Sequence, residues 1–418
     1  MKDIVSDSKV SWLKYVPKSW QIFRVKNLFE ISNEKNLGED IPVLSLTQRG
    51  IKIRDISNNE GQIAESYENY TRIRKNDMVF NPMDLCTGAV DLSVFDGVIS
   101  LAYTTLREKG VSNLFLKYYK YYFQWHYLNE IFFPFGQGVS VDHRWTLKDD
   151  ILLNFPILVP PYETQKKISD FLDKKIKVVD EIVEKKEKLI ELLFEKRSSL
   201  IRHVVTKGLR NQIKMKHSGV DWIGNVPQEW NIKPLKSLFY SKKELVGTDS
   251  DKYTLLRLAL DGVSPKQEGQ GGKNPENYDA YQLYLPGDLV FCTFDYDVTP
   301  RTIGLVEEKG ILTGAYTRLV PSSDIVSKYY YYYYLSLDID KVLLHLCTGL
   351  RHGLSKYVFW SLANPVPPKR EQKQIVDYLD SESSKINMSI TLIKSQLEQL
   401  KKYRLSLIYS MVTGKIKV

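Results

Sequence analysis

The chain has 418 residues, 59 Lys and Arg against 50 Asp and Glu for a net charge of +9, and 43% hydrophobic content. That size accommodates two or three domains with cores of their own, and the composition excludes disordered and fibrous classes. The positive balance favours a polyanionic partner such as nucleic acid without requiring one.

No apolar run reaches the roughly 18 residues of a membrane span, and the opening MKDIVSDSKV lacks the apolar core of a signal peptide. The expectation is a cytoplasmic protein with no membrane partner. Cys86, Cys292 and Cys347 are far apart and form no Cys-x-x-Cys pair, so they read as buried thiols.

In chain order, the first element is SKVSWLKYVPKSWQIFRVKNLF from Ser8, and SGVDWIGNVPQEWNIKPLKSLF from Ser218 repeats it. Trp12, Pro17 and Trp20 match Trp222, Pro227 and Trp230, and these six read as structural anchors, the tryptophans by burial, that frame each domain against the end of a long helix. A second pair follows, with PPYETQKKISDFLD from Pro160 aligning without a gap on PPKREQKQIVDYLD from Pro367. Between these framed ends only echoes survive, such as NDMVF with GDLVF and LAYTTL with GAYTRL. The frame is duplicated and the inserts have diverged, at a period far too long for a solenoid. Two similar domains around an approximate twofold axis are expected.

Short β-like runs in the inserts include IPVLSL at Ile41, DMVFNP at Asp77, TLLRLAL at Thr254 and GDLVFCTF at Gly287. Tyrosine-rich helical segments follow at Asn113 to Glu130 and Ser327 to Leu344, which predicts α+β domains with mixed or antiparallel sheets. The run YYYYYY at Tyr329 points its side chains all round a helix, so most of it reads as core rather than as a base-stacking platform.

From Pro161 the apolar residues step by three and four through Ile168, Leu172, Val179, Val183, Ile190, Leu193 and Leu200. The second copy supplies Ile375, Leu379, Ile386, Ile390, Ile393, Leu397, Leu400 and Leu407. This spacing predicts two long coiled-coil helices of roughly 45 residues, on the order of 65 Å each, running antiparallel. Lys175, Lys186, Arg197 and Arg404 also fall on this seam, the arginines at matching positions where they fix register or snorkel outward. The predicted boundaries are a first domain over 1–159, a helix over 160–207, a second domain over 208–366 and a helix over 367–418.

Loop cations are the candidates for DNA contact, through phosphates or guanine edges. The first insert offers Arg49, Lys52, Arg54, Arg72, Arg74, Lys75, His143 and Arg144; the second offers Arg257, Lys266, Lys273, Arg301, Arg351 and His352. Signs of chemistry are missing. GQGGKN at Gly269 lacks the earlier Gly and the Ser or Thr of a P-loop, and no Gly-x-Gly-x-x-Gly follows a strand. NPMD at Asn81 lacks the second Pro and the aromatic of an amino-methyltransferase motif, and the carboxylates of FDYD at Phe294 have no counterpart in the first domain. No catalytic, cofactor or metal residue is predicted.

The element W-[IL]-x-x-V-P-x-x-W-x-I, the helix start PP-x-x-x-Q-x-x-I-x-x-[FY]-L-D, the closing VT-[KG] and the duplication resemble the specificity subunit of type I restriction-modification enzymes. The resemblance covers essentially the whole chain, departing at Thr164, where the second copy has Glu371. It implies two target-recognition domains, each reading half of a bipartite, asymmetric sequence in double-stranded DNA, with the helices as the ruler between them. It further implies docking of two modification subunits that bind S-adenosylmethionine, and of restriction subunits that use ATP and Mg, with no cofactor in this chain. A coiled-coil scaffold that binds protein partners without DNA is the alternative.

Overall fold

The computed structural model describes residues 4–5, 12–13, 16–36, 41–48, 50–56, 66–85, 89–110, 113–138, 145–210, 212–267 and 277–416. Cys86, Arg49, His143, Arg144 and Lys273 lie outside them. The chain forms two compact units, one made of Met1–Lys186 with Ser395–Val418 and the other of Glu187–Lys394. Each therefore includes a part of both long helices.

The first unit is built on an antiparallel sheet of β1 (Phe29–Ile31), β2 (Met78–Phe80), β3 (Val90–Leu92) and β4 (Thr104–Glu108), in the order β1-β4-β2-β3. Helix α1 (Leu116–Leu128) follows, and the strand Pro156–Val159 pairs with Gln21–Arg24 just before helix α2 (Tyr162–Lys207). The second unit repeats this with β5 (Phe239–Ser241), β6 (Leu289–Phe291), β7 (Ile303–Leu305) and β8 (Thr317–Pro321) in the order β5-β8-β6-β7. Helix α3 (Ser327–Ile339), the strand pair Asn231–Pro234 with Ala363–Val366, and helix α4 (Lys369–Val412) complete the copy. Named strands pair antiparallel, and isolated parallel bridges join Val43 to Val98 and Leu255 to Ile311.

Why DMVF and DLVF survive in both inserts is now clear. Met78 and Phe80 face a main core shared with α1, while Val79 faces a smaller core under the hairpin of Leu44–Thr47 and Gly50–Ile53. Leu289, Phe291 and Val290 divide in the same way in the second unit. A strand covered on both faces needs an unbroken apolar run. The Asp before it closes a turn: Asp77 accepts the Arg74 N–H at 2.8 Å and Asp288 the Leu285 N–H at 2.7 Å. The residue between carries positive φ, 74° at Asn76 and 94° at Gly287, which Asn and Gly tolerate best.

The tyrosine run is core. Tyr329, Tyr330, Tyr332, Tyr333 and Tyr334 are buried, and the Tyr329 hydroxyl donates to the Val205 carbonyl near the end of α2 at 2.8 Å. Tyr118, its counterpart on α1, donates to the Val412 carbonyl at the end of α4 at 3.0 Å. Both rings thus satisfy a carbonyl that a helix end leaves open. The helix starts are tied as well. Buried Gln165 accepts the Phe115 N–H at 2.8 Å and donates to the Pro160 carbonyl at 2.7 Å. Gln372 repeats both bonds, to Val326 at 3.0 Å and Pro367 at 2.9 Å.

The repeated Trp element packs on the far end of a long helix. Gly208, at φ +76°, is so close to Trp230 that a Cβ would lie 3.3 Å from the indole; a Cβ on Gly414, at φ +72°, would lie 2.5 Å from Pro17 and 3.1 Å from Trp20. Trp230 is fully buried and donates to Glu371 Oε2 at 3.0 Å, a bond that Thr164 cannot supply in the first copy, where Trp20 is half-buried. Trp12 stacks on Phe155 at 4.5 Å, and half-buried Trp222 lies 5.7 Å from the His345 ring.

The seam residues are buried or half-buried on α2 and α4. In the first unit, Asp180 meets Arg404 at 3.6 Å and Lys186 donates to Gln396 at 2.6 Å, so position rises along one helix as it falls along the other. In the second unit Arg197 donates to Asn387 at 2.7 Å. Lys175 is the exception: it is exposed, with its ammonium 5.9 Å from the Phe171 ring, and the neighbouring Ile176 takes the buried place because an aliphatic chain loses nothing by leaving water.

Two measurements test this packing. Trp230→Ala removes a fully buried indole and is expected to cost about 3–5 kcal/mol, and Trp20→Ala less, by denaturant midpoint. His126 is buried among aromatic rings with Nδ1 2.7 Å from the Tyr122 carbonyl and Nε2 unpartnered, and burial pushes its pKa down to about 3. The unfolded chain, titrating at about 6.5, then binds the extra proton, so stability rises with pH from about 3 to about 6.5. His126→Phe should flatten that slope in urea titrations between about pH 4 and pH 7.

Candidate nucleic-acid interface

The candidate cations separate into those locked into the fold and those presented on loops. In the first unit Lys52 is exposed on the strand Gly50–Ile53, and the Arg54 N–H donates to the Val43 carbonyl at 2.8 Å. Arg74 donates to Glu34 at 2.9 Å, and Arg72 lies 3.8 Å from the same carboxylate. Arg107, absent from the sequence-based candidates, also reaches Glu34 at 2.9 Å and grips buried Asp77 with two bonds at 2.9 and 2.7 Å. The Arg74 guanidinium, and then Arg107, hold Glu34 below the usual carboxylate range. Lys75 is exposed, and its backbone N–H donates to Asp96 at 3.0 Å.

In the second unit Arg318 takes the part of Arg107. It is 2% exposed, donates to Asp288 at 2.6 Å and lies 3.5 Å from Glu244. The two arginines do not hold the same strand position. Thr105 faces Val79 as Arg318 faces Val290, so Arg107 stands two residues further along the same strand face. The ion pair is kept while its residue has moved.

Arg301 is likewise structural. Its side chain is 13% exposed and donates at 3.0 Å to Asp338, which is 1% exposed and also accepts from the Thr302 N–H and hydroxyl and from Lys341. Arg257 pairs with Asp261 at 3.2 Å, and the Lys266 N–H donates to the Leu255 carbonyl at 2.8 Å.

Arg351 and His352 sit on a hairpin closed by bridging between Thr348 and Gly353. Against it lies the segment FDYD, which sequence reasoning set aside as a failed carboxylate pair. Its Asp295 accepts two bonds from Arg351, and its Asp297 lies 2.7 Å from His352 Nδ1. Arg351 holds Asp295, and His352 holds Asp297, below the ordinary carboxylate range. A carboxylate 56 residues before the arginine leaves no local signal. Among the described residues no group of three or more His, Cys, Asp or Glu is placed to hold a metal, and no helix is long and apolar enough to cross a membrane.

A family model described as the type I restriction modification DNA specificity domain matches residues 17–192 and 302–402, more than half of the chain. The chain belongs to that family. Specificity subunits of type I systems are non-catalytic. The type I restriction enzyme MjaVIII specificity subunit of Methanocaldococcus jannaschii is 25% identical over 312 residues, 68% of this chain. The match spans 66% of that protein, just under two thirds of its length. Among solved structures, a chain from work on complex assembly and conformational transition of the type I R-M system has TM-score 0.72 at 12% identity, covering 96% of this chain and 99% of that one. The HsdS subunit from Thermoanaerobacter tengcongensis has TM-score 0.51 at 14% identity, covering 96% and 98%. These two likenesses are of fold.

Arg301→Ala should destabilise the protein by about 3 kcal/mol, because it strips one partner from a buried carboxylate. Lys52→Ala should stay within about 0.5 kcal/mol. Comparable losses from the two in denaturant titrations would refute the division into structural and presented cations.

Proposed function

We propose that this specificity subunit reads a bipartite, asymmetric sequence in double-stranded DNA, each unit recognising one half-site. The observation that carries the reading is a frame that repeats individual bonds in both units, around loops that differ. Gln165 and Gln372 make the same pair of bonds, and Tyr118 and Tyr329 the same cap. Among the described residues, the exposed cations Lys52 and Lys75 of the first unit stand where the second has Ser264 and Pro286. A repeated scaffold with unlike loops suits a target whose halves differ.

The long helices carry a second, exposed apolar set. It comprises Val178 and Ile182 in the first unit, and Leu189, Leu192, Met388 and Leu392 in the second. Apolar side chains left in water at helical spacing support docking of further helices. The partners proposed for them are two modification subunits, which would bring S-adenosylmethionine, with restriction subunits bringing ATP and Mg. This chain would hold no cofactor itself.

The test is to co-express the chain with a modification subunit encoded beside it and supply S-adenosylmethionine and genomic DNA. Mapping of methylated adenines by single-molecule sequencing is expected to give a split motif with a fixed gap. Binding to a target duplex should weaken steeply between about 50 and 200 mM salt. A folded complex without methylation, and with affinity indifferent to salt, would replace this reading with the scaffold.

A further inference from the structure

We propose that Arg351 is a specificity-determining residue that reads a guanine in the half-site of the second unit, with Asp295 as its positioning residue. The inference rests on the DNA-reading function above and assigns one base contact within it.

The geometry is that of a guanidinium held by its side and presented at its end. Nε donates to Asp295 Oδ1 at 2.9 Å and one terminal nitrogen donates to Oδ2. The edge formed by the two terminal nitrogens stays open, and that edge matches the O6 and N7 acceptors of guanine in the major groove. The plane is fixed as well. The guanidinium lies 4.7 Å from the Phe294 ring centroid, and Phe294 stacks on Tyr316 at 6.1 Å and 21°. Backbone bonds seat the hairpin: the N–H groups of Asp295, Tyr296 and Leu354 donate to Arg351, His352 and Thr293 carbonyls.

Yet the arginine is not buried. Its side chain is 68% exposed, against 13% for Arg301 and 2% for Arg318, so a surface cation is paired with an aspartate as the two buried ones are. Beside it Leu350 is fully exposed at the hairpin tip. An apolar side chain there suits a thymine methyl or a base step, not water.

The backbone is strained at the clamp itself. Asp295 has φ +50° and His352 φ +37°, conformations that cost an L-residue roughly 1–2 kcal/mol and that glycine would adopt freely. Gly349 of the same hairpin, at φ +75°, does so. Non-glycine residues at strained positions are consistent with work done by the side chain. The Asp295 carboxylate on Arg351 also reduces attraction to phosphates of any sequence, leaving hydrogen-bond geometry to discriminate.

The test compares the wild-type complex with Arg351→Lys and Asp295→Asn by methylation mapping on genomic DNA. The wild type should show a guanine in one half-site. Arg351→Lys should lose preference at that position by roughly ten- to a hundredfold, with the other half-site unchanged. Asp295→Asn should lose the same preference while binding a duplex without the target more tightly, since the guanidinium is no longer neutralised. In duplexes with each guanine of that half-site replaced in turn by 7-deazaguanine, one replacement should slow the wild type about tenfold and the Arg351→Lys complex hardly at all. The wild-type arm of that duplex experiment needs no altered protein, so it stands if a variant fails to assemble. Unchanged preference in Arg351→Lys, equal weakening on all sequences, or indifference to every 7-deazaguanine overturns the assignment while a split wild-type motif keeps the DNA-reading function. Absence of any split motif in the wild type removes that function and the assignment together.

Discussion

The rest of the structure depends on two buried tyrosine hydroxyls. Tyr118 closes a carbonyl at the end of α4, and Tyr329 closes one near the end of α2. Each is a polar group in an apolar core, where an unmade bond costs about 1–3 kcal/mol on either side. Together with Gln165 and Gln372 at the helix starts, they make each unit hold the beginning of one long helix and the end of the other. The sheets, the Trp element and the presenting loops are built around those fixed points.

This explains why these points of the frame are the same in both units while the loops differ. The tyrosine and glutamine bonds each need one atom in one place. A side chain at Gly414 would collide with Pro17, and one at Gly208 would press on Trp230. Presented cations such as Lys52 and Lys75 face water, where an altered side chain is within about 0.5 kcal/mol of neutral for the fold. Sequence reading can change without the scaffold noticing.

The frame and the helices were legible in the sequence because their signals are local. The VP-x-x-W spacing, the step of three and four, and the Asp before an apolar run all lie within a few residues. Along the seam, Ile168 through Leu200 and Ile375 through Leu407 are buried or half-buried, whereas Lys175 is exposed and Ile176 takes the buried place beside it. What stayed hidden needs strand register. Arg107 and Arg318 serve matching aspartates from positions two residues apart, and Asp338 gathers Arg301 and Lys341 from both directions along the chain. The Asp295 clamp on Arg351 was invisible for the same reason. Exposure was the missing coordinate: a cation in a loop sequence looks alike whether it faces solvent or an aspartate.

The composition of the first unit, residues 1–186 with 395–418, has a consequence for synthesis on the ribosome. The second unit is contiguous and can close soon after residue 394 emerges. The first unit waits with part of its core unfilled, because Ile408, Met411 and Val412 belong to it and are made some two hundred residues after the rest. During that interval its aromatic cluster around Tyr118 and Trp125 is open on one side. Translation rate through the second unit, and any chaperone that covers the gap, thus govern how much of the chain arrives folded.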